Sequence, residues 1–144
     1  MSDIEKAKEL FAGGEFTCVL VKDDKIYSSN LSGIAPMVGF IKDGVDLSGF
    51  SAADKIVGKA AALLFVLAGV KEVFASVLSK KAEAVFTKHG VLYSCETSAD
   101  AIINRAGTGP CPMENAVNGV DDPRKAYDSI IRTLDILRNE KRRI

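Results

Sequence analysis

At 144 residues the chain has the length of one ordinary domain, enough for a single core and too little for two. Hydrophobic residues make up 47% and charged residues 26%, a balance that excludes a disordered chain. Nineteen basic residues cancel nineteen acidic ones, which argues against nucleic acid as a partner, and no uncharged run approaches the roughly 20 apolar residues of a membrane helix.

The first residues, Met-Ser-Asp-Ile-Glu-Lys, have no apolar signal core, so a cytoplasmic location is expected. Residues 2–12 read as a helix with Ile4, Ala7, Lys8 and Phe11 on one face, stopped by Gly13-Gly14. Phe16–Lys22 and Lys25–Ser29 are β-rich runs around Asp23-Asp24 and predict an antiparallel hairpin. A short helix is expected from Pro36, and Val45–Phe50 reads as a loop. Ser51–Gly69 reads as the clearest helix. Ser51 and Asp54 fit an S-x-x-D capping box, Gly69 supplies the stop, and Ala60–Leu67 is apolar all round. A helix without a polar face is buried on all sides, so Leu63, Leu64 and Leu67 are expected in the core.

Lys71–Leu78 then reads as a strand, Lys80–Lys88 as a helix ended by His89-Gly90, and Val91–Cys95 as a strand. Strand, helix and strand in so short a span predict two parallel strands with a right-handed crossover. Thr97 and Asp100 suggest the cap of a short helix to about Arg105, and Ala106–Pro110 a tight loop. Cys111-Pro112-Met113-Glu114 opens another helix, ended by Gly119, and Asp122-Pro123 begins the last one, which runs to about Asn139. The sum is a single α/β domain over 1–144. It is a three-layer α/β/α sandwich around a mixed four-stranded sheet, an antiparallel hairpin followed by parallel strands.

Three cysteines and one histidine form no zinc pattern, so free thiols are expected, with neither metal nor cofactor. His89 fits the last turn of its helix, and Cys18 the core. Ligands of open α/β sheets bind at the carboxyl ends of parallel strands. The segments expected there are Ser51–Lys59, Leu78–Glu83, Cys95-Glu96 and the Gly107–Glu114 loop. Lys55 and Lys59, read as i and i+4 on one helical face beside Ala62 and Val66, sit at a positive helix end together with Lys80 and Lys81. Such cations are relieved by an anion, or they snorkel to water. Asp54 is either a helix cap or a general base beside Lys55. Thr108 and Gly109 precede Cys111, whose place at a helix start stabilises a thiolate, while Glu114 fits a local cap. The catalytic candidates are therefore Asp54, Lys55, Lys59 and Cys111. The ligand-binding candidates are Lys55, Lys59, Lys80, Lys81, Thr108, Gly109, Cys111 and Glu114. Gly58-Lys59 is not a phosphate-binding P-loop, because Ala53 and Ala60 stand where glycine and a hydroxyl are needed.

The segments Ala53-Asp54-Lys55-Ile56-Val57-Gly58-Lys59-Ala60-Ala61-Ala62 and Gly109-Pro110-Cys111-Pro112-Met113-Glu114 resemble an uncharacterised prokaryotic family, domain of unknown function 1893. The resemblance covers nearly the whole chain and implies a cytidine-deaminase-like α/β/α fold with no established activity. Deaminases place His or Cys, then Glu, at the buried helix start, and a PCxxC pair after the following strand. Here those positions hold Asp54, Lys55 and Lys59, and Leu78–Glu83 has no cysteine. Pro110–Glu114 is a degenerate PCxxC one unit too late. The expected function is binding of an anionic, nucleotide- or phosphate-type small molecule at the carboxyl edge, with catalysis and a homo-oligomer left open. The alternative is a non-catalytic regulatory or interaction module that has lost deaminase chemistry.

Overall fold

The structure, a computed structural model, describes residues 1–102 and 111–142. Helix α1 (Asp3–Ala12) is capped by Ser2, whose hydroxyl accepts from the Glu5 amide, and leads into the hairpin β1 (Cys18–Lys22) and β2 (Lys25–Ser29). Asp23 takes the left-handed conformation, φ 54°, that a two-residue hairpin turn requires. After α2 (Ala35–Lys42) come β3 (Ser51–Val57), α3 (Lys59–Ala68), β4 (Glu72–Ser79), α4 (Lys80–His89) and β5 (Leu92–Ala99). The chain ends in α5 (Pro112–Ala116) and α6 (Pro123–Arg142).

The sheet order is β2-β1-β3-β4-β5. Strand β1 runs antiparallel to β2 and β3, and β3, β4 and β5 are parallel. One core holds Leu63, Leu64, Phe65 and Phe86 together with residues of α2, α5 and α6. A smaller core on the other face packs α1 through Ala7 and Phe11 against Val19, Val21, Ala53 and Phe74. This is the expected layered α/β class.

Three local expectations are corrected. The long helix over 51–69 is a strand and a helix separated by Gly58, so the sheet has five strands rather than four. Ala52 and Ala53 are buried on opposite faces, which hides the alternation that marks an exposed strand. Ser51 and Asp54 accordingly cap no helix, and Lys55 and Lys59 share no helical face. Thr97 belongs to β5, which runs on to Ala99, and it starts no helix. The helix end near Arg105 and the loop Ala106–Pro110 lie outside the described residues. Leu67 is half-buried, one residue from the end of α3, whereas Leu63 and Leu64 are fully buried. Truncating Leu64 leaves a cavity under the sheet, so Leu64→Ala is expected to cost about 3 kcal/mol in urea unfolding.

Candidate functional site

The parallel strands deliver three chain segments to their carboxyl edge: Gly58-Lys59 after β3, Ser79–Lys81 after β4, and Asp100–Ile102 after β5. Helix α5 closes the edge, tied to it where the Cys111 amide donates to the Ile102 carbonyl at 3.1 Å. Glu114, in the first turn of α5, does not bond back to its own helix. Its two carboxylate oxygens accept from the amides of Lys59 at 2.8 Å and Ala60 at 2.9 Å, the first two of α3. The positive end of α3 thus holds the chain's own anion, with both bonds charge-assisted. Gly58, the N-cap, has an ordinary φ of −100°. Its role is space, because a Cβ there would sit 2.4 Å from Glu114 Oε1.

Lys59 completes a reciprocal clasp. Its ammonium donates to the carbonyl of Val117, the C-cap of α5, at 3.0 Å and pairs with Asp121 at 3.4 Å. A cation at the wrong end of α3 is therefore stabilised by the negative end of α5 and by a carboxylate. Ser79 caps α4, its hydroxyl accepting from the Ala82 amide at 3.1 Å. Lys80 pairs with Asp100 at 2.9 Å in an exposed contact, whose hydrogen bond raises the Lys80 pKa and lowers that of Asp100.

Two clefts adjoin the clasp. One, of about 220 Å³, runs past Ser79, Lys81, Ile102, Glu114 and Asn118. Its neighbour, of about 360 Å³, is lined by Lys59, Lys81, Val85, Lys88, Asn118 and Asp121. Lys81 and Lys88 have no ion-pair partner among the described residues. The structure thus brings together Lys59, Lys81 and Glu114, while Lys80 lines neither cleft and faces Asp100. Lys88 and Asn118 were not singled out from sequence, although Lys88 lies seven residues beyond Lys81 and so on the same face of α4. Cys111 caps α5 with no side-chain bond and is half-buried against the core. Thr108 and Gly109 lie outside the described residues. Lys55, on a strand, points away from this edge into a cleft on the α1 side.

Asp54 lies inside the sheet, three residues or about 10 Å back from the end of β3 and directly across from Cys18 of β1. Only 5% of it is exposed, and its Oδ1 accepts the Lys55 amide at 2.7 Å. Burial raises the Asp54 pKa to about 8 against that hydrogen bond, and burial, then the neighbouring Asp54, raises the Cys18 thiol. At neutral pH Asp54 is a carboxylic acid. Among the described residues no three His, Cys, Asp or Glu side chains converge as a metal-binding group, and no helix is long and apolar enough to cross a membrane.

The family model "Domain of unknown function (DUF1893)" matches residues 6–134. The chain belongs to the DUF1893 family. A DUF1893 family protein from Thermotoga maritima has the same architecture, with a TM-score of 0.82, 26% identity, and coverage of 90% of this chain and 88% of that one. A diaminohydroxyphosphoribosylaminopyrimidine deaminase/5-amino-6-(5-phosphoribosylamino)uracil reductase, also from Thermotoga maritima, is similar at a TM-score of only 0.41 and 18% identity. It covers 65% of this chain and 35% of that one, too slight a likeness to carry fold or function. No curated protein matches this DUF1893 chain.

Two predictions follow from the geometry of this DUF1893 edge. Gly58→Ala and Glu114→Gln should each cost about 2 kcal/mol, because both break the same pair of charge-assisted bonds. Their double mutant should cost little more than either alone, which a double-mutant cycle by denaturant unfolding measures. Asp54 sets a pH dependence. Below about pH 4 the folded and unfolded chains both hold its proton, so there is no penalty. As pH rises towards 8 the unfolded chain releases the proton while the folded chain keeps it, and stability falls. The loss is on the order of 4 kcal/mol by pH 7. Relative to the parent, Asp54→Asn should therefore gain stability between pH 4 and 8, and equal slopes in that window would contradict this assignment.

Proposed function

We propose that the chain binds a small anionic ligand of phosphate or nucleotide type in the cleft between α3, α4 and the α5–α6 turn. The observation that carries this reading is the pair Lys81 and Lys88. Two turns apart on one face of α4, they are separated by roughly 10 Å, open on a cleft of about 360 Å³, and have neither a salt-bridge partner nor a hydrogen bond to another side chain among the described residues. Lys59 borders the same cleft but is largely neutralised by Asp121. Two unpaired ammonium groups held at that separation suit an extended or multiply charged anion, and the Asn118 amide can donate to it from the opposite wall. The cleft lies within the roughly 300–1,000 Å³ of small-molecule sites.

Glu114 favours binding over catalysis as the role of this edge. With its carboxylate on the first two amides of α3, those donors are not free to stabilise a developing oxyanion. The same observation supports the second reading, a non-catalytic regulatory or interaction module.

Thermal melting with inorganic phosphate, AMP and ATP at low salt separates the two readings. A ligand present at one hundred times its Kd should raise Tm by roughly 8 °C, and Lys81→Ala/Lys88→Ala should remove the rise without lowering the unliganded Tm. If no anion shifts the parent, or the double variant responds equally, ligand binding here fails and the interaction reading stands.

A further inference from the structure

On the opposite face of the sheet, at the end of α1, lies a cleft of about 450 Å³. Phe11 and Phe16 form its walls, and Lys55-Ile56 of β3 and Ser76-Val77 of β4 its floor. Consecutive residues of a regular strand point to opposite faces, yet here two neighbours from each strand line one cleft. The ladder shows why. Asp54 pairs with Ala75 and Ile56 with Val77, but Lys55 and Ser76 between them form no pair, and neither do Ser76 and Glu96 one strand further on. Past this break Val57 and Leu78 turn into the larger core while Ile56 and Val77 remain on the cleft. Like a bulge, the break re-aims side chains at a cost in regular pairing.

Two side chains of the floor are open to solvent. Ile56 is 48% exposed, one residue from the end of β3 and past its last pair with β1. Lys55 beside it is exposed, with no carboxylate within 4.0 Å of its ammonium among the described residues, and Glu15, Thr17 and Asn30 line the rim of the same cleft. We propose that this cleft binds a small amphipathic anion, with an unbranched apolar tail against Phe11, Phe16, Ile56 and Val77 and a carboxylate head on Lys55. The ammonium supplies a charge for the head, and every methylene withdrawn from water strengthens binding about fourfold. The cleft volume matches that of small-molecule sites, and the cleft is separated by the sheet from the Lys81–Lys88 edge.

Calorimetric titration of the full chain with butanoate, hexanoate, octanoate and octanol tests this, with light scattering of the same samples for oligomeric state. Affinity should rise about fifteenfold from butanoate to hexanoate and again to octanoate, with one site per chain. Lys55→Met should weaken octanoate at least tenfold and leave octanol unchanged. Ile56→Asp, at an exposed position and checked by its melting curve, should abolish both. Lys81→Ala/Lys88→Ala should leave octanoate binding as in the parent, so that this site and the proposed phosphate-type site stand or fall separately. The proposal is overturned by an affinity that does not change with chain length, or by binding that survives both Lys55→Met and Ile56→Asp. It is equally overturned by a parent dimer that Ile56→Asp dissociates, since a second copy would then cover the cleft.

Discussion

The carboxylate of Glu114 on the first two amides of α3 is the contact around which the functional edge is organised. It joins residues 54 and 55 positions apart in sequence, and it works only because Gly58 leaves room for it. The clasp is mutual, since the first residue of α3 sends its ammonium to the C-cap carbonyl of α5. Each helix end meets a charge of the sign its dipole favours. Helix α5 has only five residues and too few internal hydrogen bonds to stand alone, so its position depends on these cross-links and on buried Met113.

This arrangement also accounts for a residue that looked misplaced. A lysine opening a buried helix is unfavourable when considered locally. Lys59 is 13% exposed at its side chain, and the carbonyl of Val117 and the carboxylate of Asp121 meet it there. The anion that the lysine pattern called for exists, but it belongs to the chain. Among the described residues the cations without a carboxylate partner beside this cleft are Lys81 and Lys88, one helix along.

Elements whose signals are local were legible in the sequence: α1 with its stop, the hairpin around Asp23-Asp24, and the β4–α4–β5 unit with His89 in the last helical turn. The β3–α3 junction was not. Alanines on both faces of β3 erased its period, and an accidental S-x-x-D match imitated a helix start. That single misreading moved Lys55 from a strand to a helix and paired it with the wrong lysine. Glu114 shows a different limit. At the third position of its helix it carries the signal of a local cap, and nothing in the neighbouring residues marks a partner more than fifty positions away.

Once Asp54 and Lys55 are placed on a strand, their adjacency has a physical consequence. Neighbouring strand residues face opposite sides, so one enters the helical side of the sheet and the other the α1 side. The acid becomes a neutral group beside Cys18 with its pKa raised to about 8, while the lysine keeps an ammonium on a half-apolar floor. An ion pair between them, which a helical reading allows, would require both charges on one face. Burial of Asp54 is tolerable because the proton it retains removes the charge, which is far cheaper than burying an unpaired carboxylate. The two sides of this sheet therefore differ in charge state at one point of one strand. The helical side is closed and neutral there, and the α1 side is open and cationic.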